Sequence, residues 1–231
     1  MSIIEPENID YRYERKFFID NLSIHQVESM VKLNPLAFSE IYHRRYVNNI
    51  YFDTPEFLSY HDNIVGNSQR TKVRIRWYNE LFGVIKNPVL EFKVKSGLVG
   101  RKVSFSLPMF ELKNNFSSSQ IEEIIQQSKI PEKVKLEIRC LGPTLLNRYS
   151  RKYFQSANGS YRITLDTDLV FYLIGCRNNS FLRKSIKDIN VVLELKYNQY
   201  MDNNANHITN DFPFRLTKSS KYVTGIDRIY P

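Results

Sequence analysis

The sequence predicts a mainly β domain of the α+β class: an antiparallel barrel or strongly curved sheet of about eight strands, with short helices packed outside it. Three observations carry this expectation. A period-two alternation of charged and apolar residues recurs along the chain, turn signals separate the alternating stretches, and helical periodicity is confined to short segments. No repeat, low-complexity tract or linker divides the 231 residues, so one domain spanning 1–231 is expected.

The clearest strand is residues 71–78, where Lys72, Arg74 and Arg76 alternate with Val73, Ile75 and Trp77. Successive side chains on a strand face opposite sides, so one face is cationic and the other apolar. Like charges on one face repel and call for solvent or a bound polyanion. Four further stretches repeat the design. Residues 12–19 set Arg12, Glu14 and Lys16 against Tyr13, Phe17 and Ile19, with Arg15 as an exception on the apolar side. Residues 89–95 set Glu91, Lys93 and Lys95 against Leu90, Phe92 and Val94. Residues 161–169 set Arg162, Thr164, Asp166 and Asp168 against Ile163, Leu165 and Leu169, and residues 191–197 set Glu194 and Lys196 against Val191, Leu193, Leu195 and Tyr197.

Between these strands the signals are local. Ser23 caps a helix with apolar residues at 24, 27, 30 and 31 that closes near Pro35. Residues 41–52 read as a long strand; Thr54 then caps and Pro55 opens a second helix, which ends near Gly66. A turn covers 79–88, and Gly97 and Gly100 bracket a hairpin into 101–107. Residues 117–127 are helical with Ser119 and Glu122 at capping-box spacing, and 131–139 form a shorter helical piece before the breakers Gly142 and Pro143. Asn158-Gly159 joins strands 146–155 and 161–172 as a hairpin. Tyr149, Arg151 and Tyr153 share a face of the first of these. A polar connection, 177–189, leads to the strand 190–197, and residues 211–231 form a tail carrying Arg215, Lys218 and Lys221.

A net charge of +9 points to an anionic partner: nucleic acid, an acidic membrane surface, or a phosphorylated molecule or polymer. Cys140 and Cys176 are too few and too far apart for a disulfide framework or a zinc site. His25, His43, His61 and His207 show neither metal spacing nor a triad partner. Residues 1–10 lack a leader pattern and no apolar run approaches a membrane span, so a soluble, cytoplasmic protein is expected. Aromatics lie mostly on the apolar strand faces, away from the basic ones, which disfavours single-stranded nucleic acid.

Tyr13-Glu14-Arg15-Lys16, Ile50-Tyr51-Phe52-Asp53-Thr54, Lys72-Val73-Arg74-Ile75-Arg76, Leu90-Glu91-Phe92-Lys93, Tyr149-Ser150-Arg151, Arg162-Ile163-Thr164-Leu165-Asp166, Leu193-Glu194-Leu195-Lys196 and Lys218-Ser219-Ser220-Lys221-Tyr222 occur in that order. Together they resemble the catalytic domain of the vacuolar transporter chaperone (VTC) family. The resemblance implies an eight-stranded antiparallel tunnel barrel of the triphosphate tunnel metalloenzyme type. It also implies an ATP-dependent polyphosphate polymerase, as in the eukaryotic members, whose SPX domain and membrane segments have no counterpart in these 231 residues. A membrane partner for the product is left open. Related triphosphatases begin Glu-x-Glu-x-Lys; here Arg12 stands at the first glutamate, which leans toward the polymerase.

By the same resemblance Lys16, Arg74, Arg76, Lys93, Arg151, Arg162, Lys218 and Lys221 contact phosphate, with Ser220 and its neighbour Ser219 approaching the same anion. Lys102 joins them by parity, sharing a face with Ser104 and Ser106, whereas Arg101 aligns with Val103 and Phe105. Lys16, Arg74, Arg76, Lys93 and Glu194 form the catalytic set. Glu194, a carboxylate among cations, either pairs with Lys196 and its neighbours or holds Mn²⁺ or Mg²⁺. Glu14 and Glu91 are second choices, equally readable as ion pairs that space the cations; Asp166 and Asp168 can do the same, and Asp53 reads as a turn or cap residue. The expected ligands are ATP and polyphosphate or triphosphate. The alternatives are a tripolyphosphatase or nucleotide triphosphatase, and a non-catalytic polyphosphate-binding module.

Overall fold

The period-two stretches become strands, and their pairing order decides what the cationic faces enclose. The computed structural model describes residues 12–97, 99–175, 179, 181 and 185–230. Its strands are β1 (Arg12–Ile19), β2 (Ser39–Asp53), β3 (Gln69–Tyr78), β4 (Gly83–Ile85), β5 (Val89–Ser96), β6 (Val99–Ser106), β7 (Phe110–Leu112), β8 (Gly142–Gln155), β9 (Arg162–Leu173), β10 (Ser185–Asp188) and β11 (Val191–Asn198). The α-helices are α1 (Ile24–Leu33), α2 (Leu58–Val65), α3 (Ser118–Gln127), α4 (Glu132–Arg139), α5 (Asp202–Asn210) and α6 (Lys221–Ile229).

The large sheet runs β10-β9-β11-β1-β6-β5-β3-β2-β8, and β8 pairs back onto β9. All its pairings are antiparallel. Eight strands from β9 round to β8 therefore follow one another about a tunnel, with β10 as an outlying ninth. The β1–β6 seam rests on the single pair Arg12–Gly100, whereas β5–β6 is paired along its whole length. The result is one large sheet curled round a tunnel with a thin seam, not an evenly zipped barrel.

The apolar faces point outward and are covered by helices. On one side Ile50, Ile75, Trp77, Leu90 and Phe92 pack with Ile121 and Ile125 of α3 and Val134 and Ile138 of α4. On the other, Phe17, Ile163, Leu165 and Leu193 pack with Val27 and Val31 of α1 and Ala205 and Ile208 of α5. Burying each such side chain contributes about 1.5–3 kcal/mol, so apolar burial outside the wall stabilises a wall whose inner face is charged. Arg15, the exception on an apolar face, is met by α5: its guanidinium donates to Asp202 at 2.9 Å, Asn206 at 2.8 Å and Tyr197 at 2.6 Å.

A third apolar cluster lies inside one end of the tunnel. Tyr222 and Ile226 of α6 pack on the inward residues Val47, Tyr51, Leu145, Tyr149, Leu169 and Phe171. Gly225 makes the approach possible. A Cβ there would overlap Leu145 and come within 2.8 Å of Phe171. Helix α6 thus caps that end.

Several local expectations are corrected. Pro55 does not open α2, which starts at Leu58 after Phe57 in a left-handed turn (φ 56°). Asp53 is the cap: its carboxylate accepts the N–H groups of Thr54, Ser59 and Tyr60 and the Tyr222 hydroxyl, while Thr54 accepts from Leu58. The α3 capping box joins Ser117 and Gln120, not Ser119 and Glu122. Gly142 and Pro143 do not break the chain but begin β8, with Pro143 opposite Phe52 where the register shifts. Such an irregularity tolerates proline, which has no N–H to give to a ladder. Strands β4 and β7 pair as a small sheet, with β4 inside the stretch read as a turn. The connection 177–189 yields β10; its residues 177, 178, 180 and 182–184, like Cys176 and residues 1–11, lie outside the described residues.

Candidate functional site

Register places the cationic residues face to face around the lumen. Lys72, Lys93 and Lys102 stand in one row across β3, β5 and β6, and Arg74 stands opposite Glu91. Lys16 stands opposite Glu194 and Glu14 opposite Lys196. Arg151 stands opposite Asp166.

Four carboxylates knit these rows together. Glu91 takes Arg74 at 2.7 Å, Lys102 at 2.9 Å and Arg76 at 3.6 Å. Glu14 takes Lys93 at 2.8 Å, Lys16 at 3.8 Å and Lys196 at 4.0 Å, which links β5 to β1 across the thin seam. Asp166 takes both arms of the Arg151 fork, at 2.5 and 2.6 Å, and Lys221 at 2.5 Å. Glu194, 6% exposed, has four cations about it: Lys16 and Lys196 at 3.2 Å, Arg151 at 3.6 Å and Lys221 at 3.7 Å. Cations still outnumber carboxylates, and the shared acids hold them at fixed positions rather than neutralising them.

The ionisation states follow from burial and neighbours. Burial alone would raise the Glu194 carboxyl, but Lys16, Lys196, Lys221 and Arg151 hold it well below the usual range. Glu14 and Glu91 are likewise opposed by burial yet fall to about 2, through Lys93 and Lys16 for the first and Arg74 and Arg76 for the second. Lys221 gains from Asp166 and Glu194 more than burial removes, and is raised. Lys72 goes the other way. Burial first, then Lys16 and Lys93, push it down to about 6. Its ammonium meets no carboxylate among the described residues, donating instead to Asn63 at 3.0 Å and the Ser220 hydroxyl at 2.7 Å. Lys93 is lowered to about 8 by burial, against the pull of Glu14.

The C-terminal segment folds back along β1. Leu216 bridges Phe17, Thr217 donates its N–H to the Lys16 carbonyl at 2.8 Å, and Lys16 donates to the Ser219 carbonyl at 3.3 Å. Ser220 caps α6, and Lys221, its first residue, projects into the lumen 4.8 Å from the centre of the Tyr149 ring.

Of the residues singled out from sequence, Lys16, Arg74, Arg76, Lys93, Lys102, Arg151, Glu194, Ser220 and Lys221 are thus brought to the tunnel. Lys218 is exposed on the segment before α6, and Arg162 is exposed at the first residue of β9, opposite Lys196. Asp168 is not inside: it sits at positive φ (52°) beside a register shift and pairs with Arg44 at 2.6 Å. The Arg12 side chain lies outside the described residues. Residues left out of the predicted site but present in it are Lys72, Lys196, Asp166 and Tyr149. Strand parity would have included all four: Lys72, Lys196 and Tyr149 each stand two positions from a chosen residue, and Asp166 four from Arg162. Tyr149 accepts from Arg76 at 3.3 Å, a contact over the intervening β2 that needs the strand order to be read.

No group of three or more His, Cys, Asp or Glu side chains among the described residues is gathered to hold a metal. No helix among them is long and apolar enough to cross a membrane.

Three solved structures share the fold. A Hippeastrum protein named as an adenylyl cyclase, described as showing a dominant triphosphatase activity, matches with TM-score 0.54 at 14% identity, over 94% of this chain and 96% of that one. A Vibrio parahaemolyticus protein named as an adenylate cyclase matches with TM-score 0.52 at 12% identity, over 93% and 98%. A Pyrococcus horikoshii protein matches with TM-score 0.51 at 11% identity, over 94% and 99%. At such identities the likeness is one of fold. No curated protein matches the chain. The model of the VTC domain matches residues 11–230, nearly the whole sequence, and the chain belongs to the VTC domain family.

Proposed function

We propose that this protein is a metal-dependent polyphosphate polymerase that moves the γ-phosphoryl group of ATP onto a polyphosphate chain lying in the tunnel. The observation that supports it most is the excess of inward cations held in place by shared carboxylates. Preorganised charge is what phosphoryl transfer needs, since the reaction demands alignment and neutralisation more than a side-chain nucleophile. In this reading Lys16, Arg74, Arg76, Lys93, Lys102, Arg151 and Lys221 bind phosphate oxygens, Arg162 and Lys218 receive the anion at the fringes, and Ser220 holds Lys72 toward it. Arginine forks fix two oxygens each, while the lysines follow the charge. The terminal phosphate of the chain attacks the γ-phosphorus in line, the bond to the β–γ bridging oxygen breaks, and ADP leaves.

Glu194 fits a Mn²⁺ or Mg²⁺ ion in its donor chemistry, with Glu14 close by through the lysines they share. Such ions take one or two carboxylates and complete their shell with water and substrate phosphate. Four cations around Glu194 oppose a bare metal, so Glu194 would hold the ion only together with phosphate, whose oxygens would draw Lys16, Lys196, Arg151 and Lys221 from the carboxylate. When bound, the metal supplies Lewis-acid stabilisation of phosphoryl charge.

A tripolyphosphatase is the second reading, favoured by the shared fold with the Hippeastrum protein described as a triphosphatase. Arg12 in place of the first glutamate of the triphosphatase pattern weighs against it. Incubation with ATP and Mn²⁺, followed by assay of acid-insoluble phosphate, separates them. Long-chain product supports the polymerase. Release of phosphate and diphosphate alone supports the triphosphatase, and no turnover with retained binding supports a polyphosphate-binding module.

A further inference from the structure

Arg45 stands on the inward face of β2, opposite Arg151 of β8, and its neighbours in that face are tyrosines. Its guanidinium carbon lies 4.7 Å from the centre of the Tyr153 ring, 4.9 Å from Tyr78 and 5.3 Å from Tyr42. Arg74, Arg76, Arg151 and Lys221 are all tied to carboxylates. Arg45 has none. Among the described residues no acceptor receives its N–H groups, and its Nε is buried without a partner.

The location is the mouth away from α6. Leu145 and Tyr149 of β8 pack on α6, and Tyr153 lies four residues beyond Tyr149 on the same strand, about 13 Å at 3.3 Å per residue. Arg151 is buried, whereas Tyr42 and Tyr78 are 51% and 42% exposed, so Arg45 lies further out than Arg151. Three rings surround the guanidinium without taking its Nε–H, so donors remain for a ligand. A guanidinium's donors match two oxygens of a phosphate. Placed across from a second arginine that Asp166 already holds, the group gains nothing from that neighbour's charge; an entering anion supplies what Arg45 lacks.

We propose that Arg45 is a phosphate contact at the open mouth, reached by a polyphosphate longer than the triphosphate held among the inner cations. It rests on the tunnel reading above and narrows it to a long-chain ligand. The tyrosines position the guanidinium, and the phosphate bridges it toward Arg151.

Binding of inorganic tripolyphosphate and of long-chain polyphosphate to the parent and to Arg45→Gln, by titration calorimetry, tests this. The expected result is a loss of about tenfold in affinity for the long chain, the scale of one charge-assisted contact, with tripolyphosphate affinity unchanged. Equal long-chain affinity in parent and variant, or a parallel fall for both anions, overturns the assignment while leaving the tunnel reading intact. A parent that binds neither anion overturns both. If Arg45→Gln melts early, Arg45→Lys keeps a cation among the rings, and its long-chain affinity must then exceed that of Arg45→Gln.

Discussion

Lys72 carries a charge that depends on what the tunnel holds. Its pKa of about 6 reflects burial among Lys16, Lys93 and Arg74 with only neutral acceptors, Asn63 and Ser220, in reach. At pH 7 such a group is about one-tenth protonated, and Lys93, at about 8, is about nine-tenths protonated. A polyanion beside them favours the charged forms and returns both toward their ordinary values near 10.4, so binding at pH 7 takes up about one proton, mostly onto Lys72. At pH 8 uptake rises to about 1.5 protons, since Lys93 then starts half-neutral. Affinity for tripolyphosphate should therefore fall about tenfold per pH unit near pH 7 and more steeply near pH 8.

Calorimetry at pH 7 in buffers of different ionisation enthalpy counts the protons, and Lys72→Met subtracts the part that belongs to the ligand itself. The variant should take up nearly one proton fewer and show a flatter pH dependence. Equal uptake in parent and variant would refute the reasoning. The unliganded protein gives the opposite sign. Its Lys72 binds protons less well than the same residue in the unfolded chain, so the group's contribution to stability rises with pH between about 6 and 10.4.

Glu91 is depressed to about 2, so its contribution to stability is present above the unfolded value near 4.3 and is lost as pH falls through about 2; urea midpoints measured from pH 5 to pH 2 should drop less in Glu91→Gln, which starts lower. Gly225→Ala should lower stability by about 1–3 kcal/mol, because the added methyl must displace Leu145 or Phe171 or lift α6; a melting temperature equal to the parent's would contradict that packing. Lys221→Ala leaves the buried Asp166 to Arg151 alone and should cost about 1.5–3 kcal/mol in chemical denaturation, whereas exposed Lys218→Ala should shift it by less than about 0.5 kcal/mol. A double variant of these lysines that melts like the parent, the behaviour a surface tail would give, is therefore not expected.

The tunnel wall was legible because a two-residue period admits only one arrangement of faces: once 71–78 is a strand, Lys72, Arg74 and Arg76 must share a side. The same parity placed Lys102 inside. Parity fails where the ladder slips. Asp168 counts as an inward residue from Arg162, but the register shift between Arg148 and Ser150 and its own left-handed backbone turn it toward Arg44. Sequence offers no mark for that slip. Contacts across long separations are equally silent: nothing near Arg15 foretells Asp202, and nothing near Lys72 foretells Ser220. The two tail lysines show how a local pattern can suggest a site and miss its geometry. Spaced three apart, they read as a matched pair, yet Ser220 caps a helix between them. Lys218 stays on the extended lead that runs past β1, while Lys221 opens α6 and is carried into the lumen with it. What separates their fates is where the helix starts, and that is set by Tyr222 and Ile226 packing on Leu145 and Phe171, residues some fifty to eighty positions earlier in the chain.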